Sequence, residues 1–212
     1  FIKDHTDVMH TTQELLKYIT KKVSEDCAGE LKLMEVETPK APEEFPVFSL
    51  QEALELIQKE TGKSTEGMDD LEPEDERFLC EYTLEKFDSD FVLIDKFPSS
   101  VRPFYTARDT EDPKISGGFD LLFRGLEMCS GGQRVHSYDE LIERIKEKGL
   151  DPEKFDFYLQ AFKYGIPPHG GIGMGLERLT AKFLNVTNIK EATVFPRDMN
   201  RIDTLLHEHD DE

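Results

Sequence analysis

The densest group of chemistry-bearing residues is Gly170-Gly171-Ile172-Gly173-Met174-Gly175-Leu176-Glu177-Arg178. Glycines without Cβ atoms let a ligand approach the backbone closely. Helical residues follow at once, so the first turn's free N–H groups can receive an anion. Arg178 lies one turn in, where its planar fork can reach a phosphate. The run is not a dinucleotide fingerprint, because the third glycine would fall at position 176 and Leu176 stands there. It is not a phosphate-binding P-loop either, since no Gly-Lys-Ser/Thr follows. The same glycines would equally serve a tight strand-to-helix turn packed on another backbone.

A second group is Asp120-Leu121-Leu122-Phe123-Arg124-Gly125-Leu126-Glu127. A carboxylate drawn toward a core needs a cation or a donor network. Magnesium held together with nucleotide phosphates would serve, because it needs only one or two protein carboxylates. The alternative places both acids on a solvent face. A third group is Ser130-Gly131-Gly132-Gln133-Arg134-Val135-His136. Small residues clear space beside a planar cation, and Arg134 could pair bidentately with a carboxylate ligand. The alternative is a glycine turn with a surface arginine. His136 and His169 suit packing or capping better than general-base work. Arg102 reads as either a site residue or a structural ion-pair partner.

The elements that must position these groups follow from periodicity. Val8, Leu15, Leu16, Ile19 and Val23 recur at helical spacing over residues 6–26. Residues 31–36 alternate like a strand, and Pro39, Pro42 and Pro46 follow. Ser49 and Glu52 form a possible capping box for a helix ending before Gly62. A Gly-, Ser- and Asp-rich loop follows over 62–71. Pro73 and the acids around it open a helix ending near Asp88. Residues 91–94 read as a short buried strand and 118–129 as one or two strands. Ser137 and Glu140 start a helix stopped by Gly149, and Asp151-Pro152 starts another. A last helix covers about 175–184, and a strand is expected at 192–195. Strands and helices do not alternate as regular βαβ units. The pattern therefore predicts an α+β fold built on an antiparallel sheet flanked by helices.

Composition narrows the function classes. The chain has 212 residues with 26 basic and 45 acidic side chains, a formal charge of −19. That balance argues against a general basic coat for nucleic acid. Residues 1–100 hold 11 basic and 25 acidic groups, net −14, and residues 101–212 hold 15 and 20, net −5. A site for a polyanion is therefore expected in the second half. Cys27, Cys80 and Cys129 are odd in number and widely spaced. They suggest neither a disulfide framework nor structural zinc, and they fit a reducing cytoplasm. No long apolar run or signal-peptide pattern is evident.

The segments FPSSVRPFYT, FDLLFRGLEMCSGGQRVH, AFKYGIPPHGGIGMGLERL and VFPRDMNRI occur together and in this order. In combination they resemble the catalytic domain of archaeal and eukaryotic-type aspartyl-tRNA synthetases, which are class II enzymes. The resemblance is strong over about residues 91–201 and consistent over 1–90. It implies a class II synthetase-like sheet and ligation of aspartate to tRNA through aspartyl-adenylate, with ATP and Mg2+. It implies that Glu127 holds magnesium against ATP and that Ser130 lies near that metal and the aspartate. Arg134 would pair with the substrate side-chain carboxylate. Gly175, Leu176, Glu177 and Arg178 would form the motif 3 segment lining ATP, with Arg178 at the terminal phosphate. Asp120 would be a second acid near the metal.

The resemblance further implies tRNA for aspartate, and possibly for asparagine, as partner, a homodimer and a cytoplasmic location. Motifs 1 and 2 and the anticodon-binding module have no counterpart in the chain, and it opens on Phe1, as expected of a piece of a longer protein. Residues 1–204 are expected to be the C-terminal portion of the catalytic domain, with 27–90 a possible helical insertion. Residues 205–212 are expected to be a disordered acidic tail. Two further readings stand beside this one. The first is an asparaginyl-tRNA synthetase or an asparagine-forming paralogue, although the surroundings of Arg102 and Gln133 look more aspartyl. The second is a non-catalytic binding fragment, which the retention of Glu127, Ser130, Arg134 and Arg178 opposes.

Overall fold

The computed structural model describes residues 1–196. Its elements in chain order are α1 (His5–Asp26), α2 (Ala28–Leu33), β1 (Val47–Ser49), α3 (Leu50–Thr61), α4 (Pro73–Phe87) and β2 (Phe91–Asp95). There follow β3 (Gly118–Phe123), β4 (Glu127–Arg134), α5 (Tyr138–Glu147), α6 (Asp156–Lys163), β5 (His169–Met174) and α7 (Leu176–Phe183). The strands form one sheet in sequence order, β1 to β5. β1 runs parallel to β2, and every later pair is antiparallel. The expected α+β class and antiparallel sheet are what is found, with one parallel edge added.

Alternation along β2 and β3 sends side chains to two different cores. Phe91, Leu93, Phe119, Leu121 and Phe123 face α1 and α7, where they meet Val8, Leu16, Leu179 and Phe183. Val92, Ile94 and Leu122 face α3 and α4, where they meet Leu54, Ile57 and Leu79. Because both faces are covered, β2 is buried along its whole length. α3 and α4 cover only the β1–β3 half of their face. The β3–β5 half of that face is left for the site.

Local signals explain the helix ends. Ser49 and Glu52 make both halves of the capping box at α3, and Gly62 ends the helix at φ 74°. Ser137 accepts the Glu140 N–H at the start of α5. The segment after Asp151-Pro152 begins as a 3-10 turn, Pro152–Phe155, before α6 takes over. Two expected strands are absent. Residues 28–33 are helical, and Leu33 is 85% exposed, so the alternation over 31–36 does not mark a buried face. At 192–195 a 3-10 turn, Ile189–Ala192, leads into irregular chain with Val194 and Phe195 exposed. No strand of the described sheet lies beside them to supply a ladder. Arg201 and the expected acidic tail lie outside the described residues. No helix among the described residues is long and apolar enough to cross a membrane.

The β3–β4 hairpin turns on Arg124 (φ 47°) and Gly125 (φ 77°). Two successive positive φ angles match the twist of a two-residue hairpin, and arginine is an unusual choice for the first. Its side chain accounts for the choice. Arg124 Nε donates to Asp90 Oδ1 at 3.1 Å, and its Nη atoms donate to the carbonyls of Lys182, Phe183 and Glu37. One guanidinium thus ties the hairpin to the end of α7 and to the segment after α2. Arg124→Ala is expected to lower unfolding stability by about 3 kcal/mol, since it leaves the buried Asp90 carboxylate with the Lys40 N–H but without its paired guanidinium. Urea denaturation would measure the loss, and a change below about 1 kcal/mol would refute the tie.

Candidate functional site

Register decides which side chains share the open face. Asp120 pairs with Ser130, and Ser130 pairs with Gly173. Paired residues point the same way, so these three positions share a face with Leu122, Gly132 and Arg134. Glu127 lies three residues before Ser130 and would point away in a regular strand. The register shifts, however: Leu121 pairs with Cys129 and Leu122 with Glu127, which leaves Met128 as an extra residue. This bulge returns Glu127 to the face of Asp120 and Ser130, while Met128 is buried in the opposite core.

The glycines divide by the same parity. A Cβ at Gly131 would lie 2.7 Å from Ile172 Cγ2 and 2.8 Å from Phe119 Cζ. A Cβ at Gly171 would meet nothing within 4 Å, and one at Gly173 only the Ser130 carbonyl oxygen at 4.0 Å. Gly131 is therefore required by packing, and Gly171 and Gly173 leave free space over the sheet. That space is a cleft of about 200 Å³, reached by Arg102, Tyr105, Ser130, Arg134, Gly171 and Gly173. Gly131→Ala is expected to cost on the order of 2–3 kcal/mol of stability by overpacking. Gly171→Ala is expected to leave stability within about 0.5 kcal/mol while placing a methyl group in the cleft. Thermal unfolding of the two variants side by side checks the contrast.

Arg134 stands at the end of β4 with its guanidinium carbon 4.8 Å from the centre of the Tyr105 ring. Stacking on a ring holds a guanidinium plane while leaving its edge N–H groups available. Asp120 is buried, and both its oxygens accept from Arg102: Nη1 to Oδ1 at 3.1 Å and Nη2 to Oδ2 at 2.6 Å. Arg102 in turn lies 3.8 Å above the Phe97 ring. Burial still outweighs the arginine, and the Asp120 carboxyl is pushed up to about 6. Negative charge on Glu127 and Asp70 adds to the rise.

The Glu127 peptide is held on both sides. Its N–H donates to Glu76 Oε2 at 2.9 Å, and its carbonyl accepts from Arg178 Nη1 at 2.8 Å. Arg178 thereby links the first turn of α7 to the first residue of β4. It is exposed, as are Leu176 and Glu177. Gly175 donates its N–H to the Met128 carbonyl, which fixes the turn from β5 into α7. Glu76 was not expected here, because its place in the first turn of α4 reads as a helix-dipole partner. Its neighbours are otherwise engaged: Asp75 accepts from Lys63 and from the Glu72 N–H, and Glu74 pairs with Lys63. Glu76 is the acid left over. Burial raises its pKa, with Asp120 and Asp70 adding to the rise.

The site therefore brings Asp120, Glu127, Ser130 and Arg134 onto one face, with Arg178 at its edge. His136 is exposed, and His169 Nδ1 lies 3.1 Å from the Pro167 carbonyl oxygen. A cleft of about 630 Å³ around Arg124 and Arg77 contains none of the expected site residues. Among the described residues no three His, Cys, Asp or Glu side chains converge as a self-sufficient metal cage. Asp120, Glu127 and Ser130 share a face by register, and their side chains carry the oxygen atoms that a hard cation takes when it brings other ligands with it.

The chain matches the family described as class II tRNA synthetases (D, K and N) over residues 1–199. It is 45% identical over 203 residues to an aspartate–tRNA(Asp/Asn) ligase of Aeropyrum pernix, which covers 95% of the chain and 46% of the relative. An aspartyl-tRNA synthetase structure from Entamoeba histolytica is 33% identical with a TM-score of 0.89, over 96% of this chain and 42% of that one. An asparaginyl-tRNA synthetase from Pyrococcus horikoshii, complexed with asparaginyl-adenylate, is 33% identical with a TM-score of 0.85, over 94% and 46%. The chain thus spans about half the length of the relatives it matches.

Proposed function

The chain belongs to the class II tRNA synthetases of the aspartate, lysine and asparagine group, and from this premise we propose that the protein carrying it is an aspartate–tRNA ligase. The aspartate α-carboxylate attacks the α-phosphorus of ATP and expels pyrophosphate. The aspartyl group of the adenylate then passes to a ribose hydroxyl at the end of tRNA, and AMP leaves. The observation that supports this reading best is Arg134, stacked on Tyr105 at the glycine-floored cleft on the face shared with Asp120, Ser130 and Glu127.

In this reading Arg134 pairs with the substrate side-chain carboxylate, and Ser130 lies beside the aspartate. Gly175, Leu176, Glu177 and Arg178 line ATP, with the Arg178 guanidinium toward its terminal phosphate. Glu127, Ser130 and Asp120 would hold Mg2+, which would neutralise phosphate charge. None of these residues acts as a nucleophile. Their work is positioning and charge neutralisation. The partners are aspartate, ATP and tRNA, the protein acts in the cytoplasm, and it works as a homodimer.

ATP–pyrophosphate exchange tests the proposal on the whole protein that carries the chain. Exchange driven by aspartate is the expected result. Exchange driven by asparagine alone would move the protein to the asparaginyl reading, which the likeness to the Pyrococcus horikoshii enzyme keeps in view. Exchange with neither amino acid would favour a binding role without adenylate chemistry.

A further inference from the structure

The long connection between β2 and β3 folds back on itself, bridging Pro98 to Ile115 and Arg108 to Ser116. It contributes Arg102 and Tyr105 to the glycine-floored cleft. With the C-terminal end of α5 it also lines a separate cleft of about 580 Å³. Ser99, Arg108, Lys114, Arg144, Glu147 and Lys148 reach this second cleft. Four cations there face one carboxylate. Glu147 Oε2 accepts from Arg108 Nη2 at 2.7 Å and from Arg144 Nη1 at 3.3 Å, so both arginines share a single oxygen.

The donors left over are the telling feature. Arg144 is 3% exposed, yet its Nε and Nη2 have no partner, and neither does the Nε of Arg108. The hydroxyl of Ser99, a residue 4% exposed, is equally unpaired. Among the described residues five buried side-chain polar atoms lack a partner, and four of them belong to this cluster. Buried donors are normally satisfied, so such a concentration marks a missing acceptor. An acceptor with negative charge suits the cluster best, because the local excess is cationic. Burial and the nearby Arg108 both press Arg144 toward losing its proton, and Glu147 offsets only part of that. The carbonyl end of α5 attracts cations in general, but it takes up none of these four donor atoms.

We propose that this cleft binds a phosphate-type oxyanion, supplied either by an RNA backbone or by free inorganic phosphate. Arginine forks match the several oxygens of a phosphate, and a serine hydroxyl and a lysine complete a common donor set for it. All four cations lie in residues 101–212, the half of the chain with the smaller acid excess. The inference does not depend on the ligase reading, since none of its residues is assigned to ATP or aspartate.

The test is thermal unfolding of the chain in inorganic phosphate and in chloride at equal ionic strength, with binding of a short RNA duplex followed by fluorescence anisotropy. Phosphate is expected to raise the melting temperature above its value in chloride. Arg144→Met is expected to lose that rise while melting no lower than wild type in chloride, because it removes a buried cation that has only a carboxylate oxygen shared with Arg108 for a partner. A variant that melts lower in chloride and still responds to phosphate would show a purely structural arginine and overturn the proposal. Should Arg144→Met fail to fold, the surface double variant Lys114→Gln/Lys148→Gln must weaken phosphate binding by about tenfold. RNA binding that weakens in the same variants assigns the site to an RNA backbone. A response to phosphate alone assigns it to the free anion. No phosphate effect beyond chloride, with RNA binding unchanged in the variants, refutes both.

Discussion

Arg134→Ala is expected to lower aspartate-dependent ATP–pyrophosphate exchange by about two to three powers of ten, equivalent to roughly 3–4 kcal/mol. The guanidinium has a partner before substrate arrives, because it lies over the Tyr105 ring, 4.8 Å from its centre. A carboxylate entering the cleft between Arg134 and Ser130 would meet two parallel N–H donors away from bulk water. Such paired, charge-assisted bonds are about twice as strong as neutral ones. The loss should fall on kcat/KM for aspartate while KM for ATP stays near wild type, since Arg178 is at the far edge of the site. Arg134→Lys keeps the charge but neither the fork nor the ring stacking, so it should recover only a small part of the rate. Retention of exchange within about threefold in Arg134→Ala would remove this residue from substrate recognition.

Much of the scaffold around Arg134 is readable from local chemistry. Ser49 with Glu52, Gly62 after α3 and Ser137 before α5 set element ends through bonds made within a few residues, and such bonds are written in the sequence. The run from Phe91 is legible as a buried strand because both its faces are apolar. Elements whose identity depends on distant partners are less legible. Leu31 and Leu33 alternate, but only Leu31 is buried, and the short α2 forms directly after α1. Residues 192–195 have strand-like composition without a strand beside them.

The site shows the same division. The glycine run and the acids were visible as types, but their facing was not. Nothing periodic announces the bulge at Met128, and without it Glu127 would point to the opposite core. Nor does spacing separate Gly131, which packing requires, from Gly171, which opens the cleft. Glu76 was hidden by a sufficient local reason for its charge. Only the fold shows that its carboxylate takes the Glu127 N–H fifty-one residues away. Arg102 had two readings, and its bidentate pair with Asp120 joins them: the arginine is an ion-pair partner to a residue on the site face.

That pair carries the second large effect, on stability and its pH dependence. Asp120 has its carboxyl pushed from the ordinary 3.8 up to about 6, so burial costs the ionised form more than Arg102 returns. Asp120 binds its proton more tightly in the folded chain. Its stabilising contribution is therefore complete below about pH 4 and is lost as pH rises through about 6. A shift of about two units corresponds to roughly 3 kcal/mol. Asp120→Asn should flatten the pH dependence of urea unfolding across this window; an unchanged slope would refute the assignment. Arg102→Met should be far more damaging at pH 7.5 than at pH 5, because only the ionised Asp120 misses its cation. At the higher pH the expected loss is about 3–5 kcal/mol, typical of a buried charge stripped of its partner. The double variant Arg102→Met/Asp120→Leu should recover most of that loss, since it leaves no charge behind. Such a recovery would show that the pair is retained at a cost to the fold. A group kept at a cost is explained by what it does on the site face: each Asp120 oxygen accepts one guanidinium N–H and keeps further capacity for another donor or a cation.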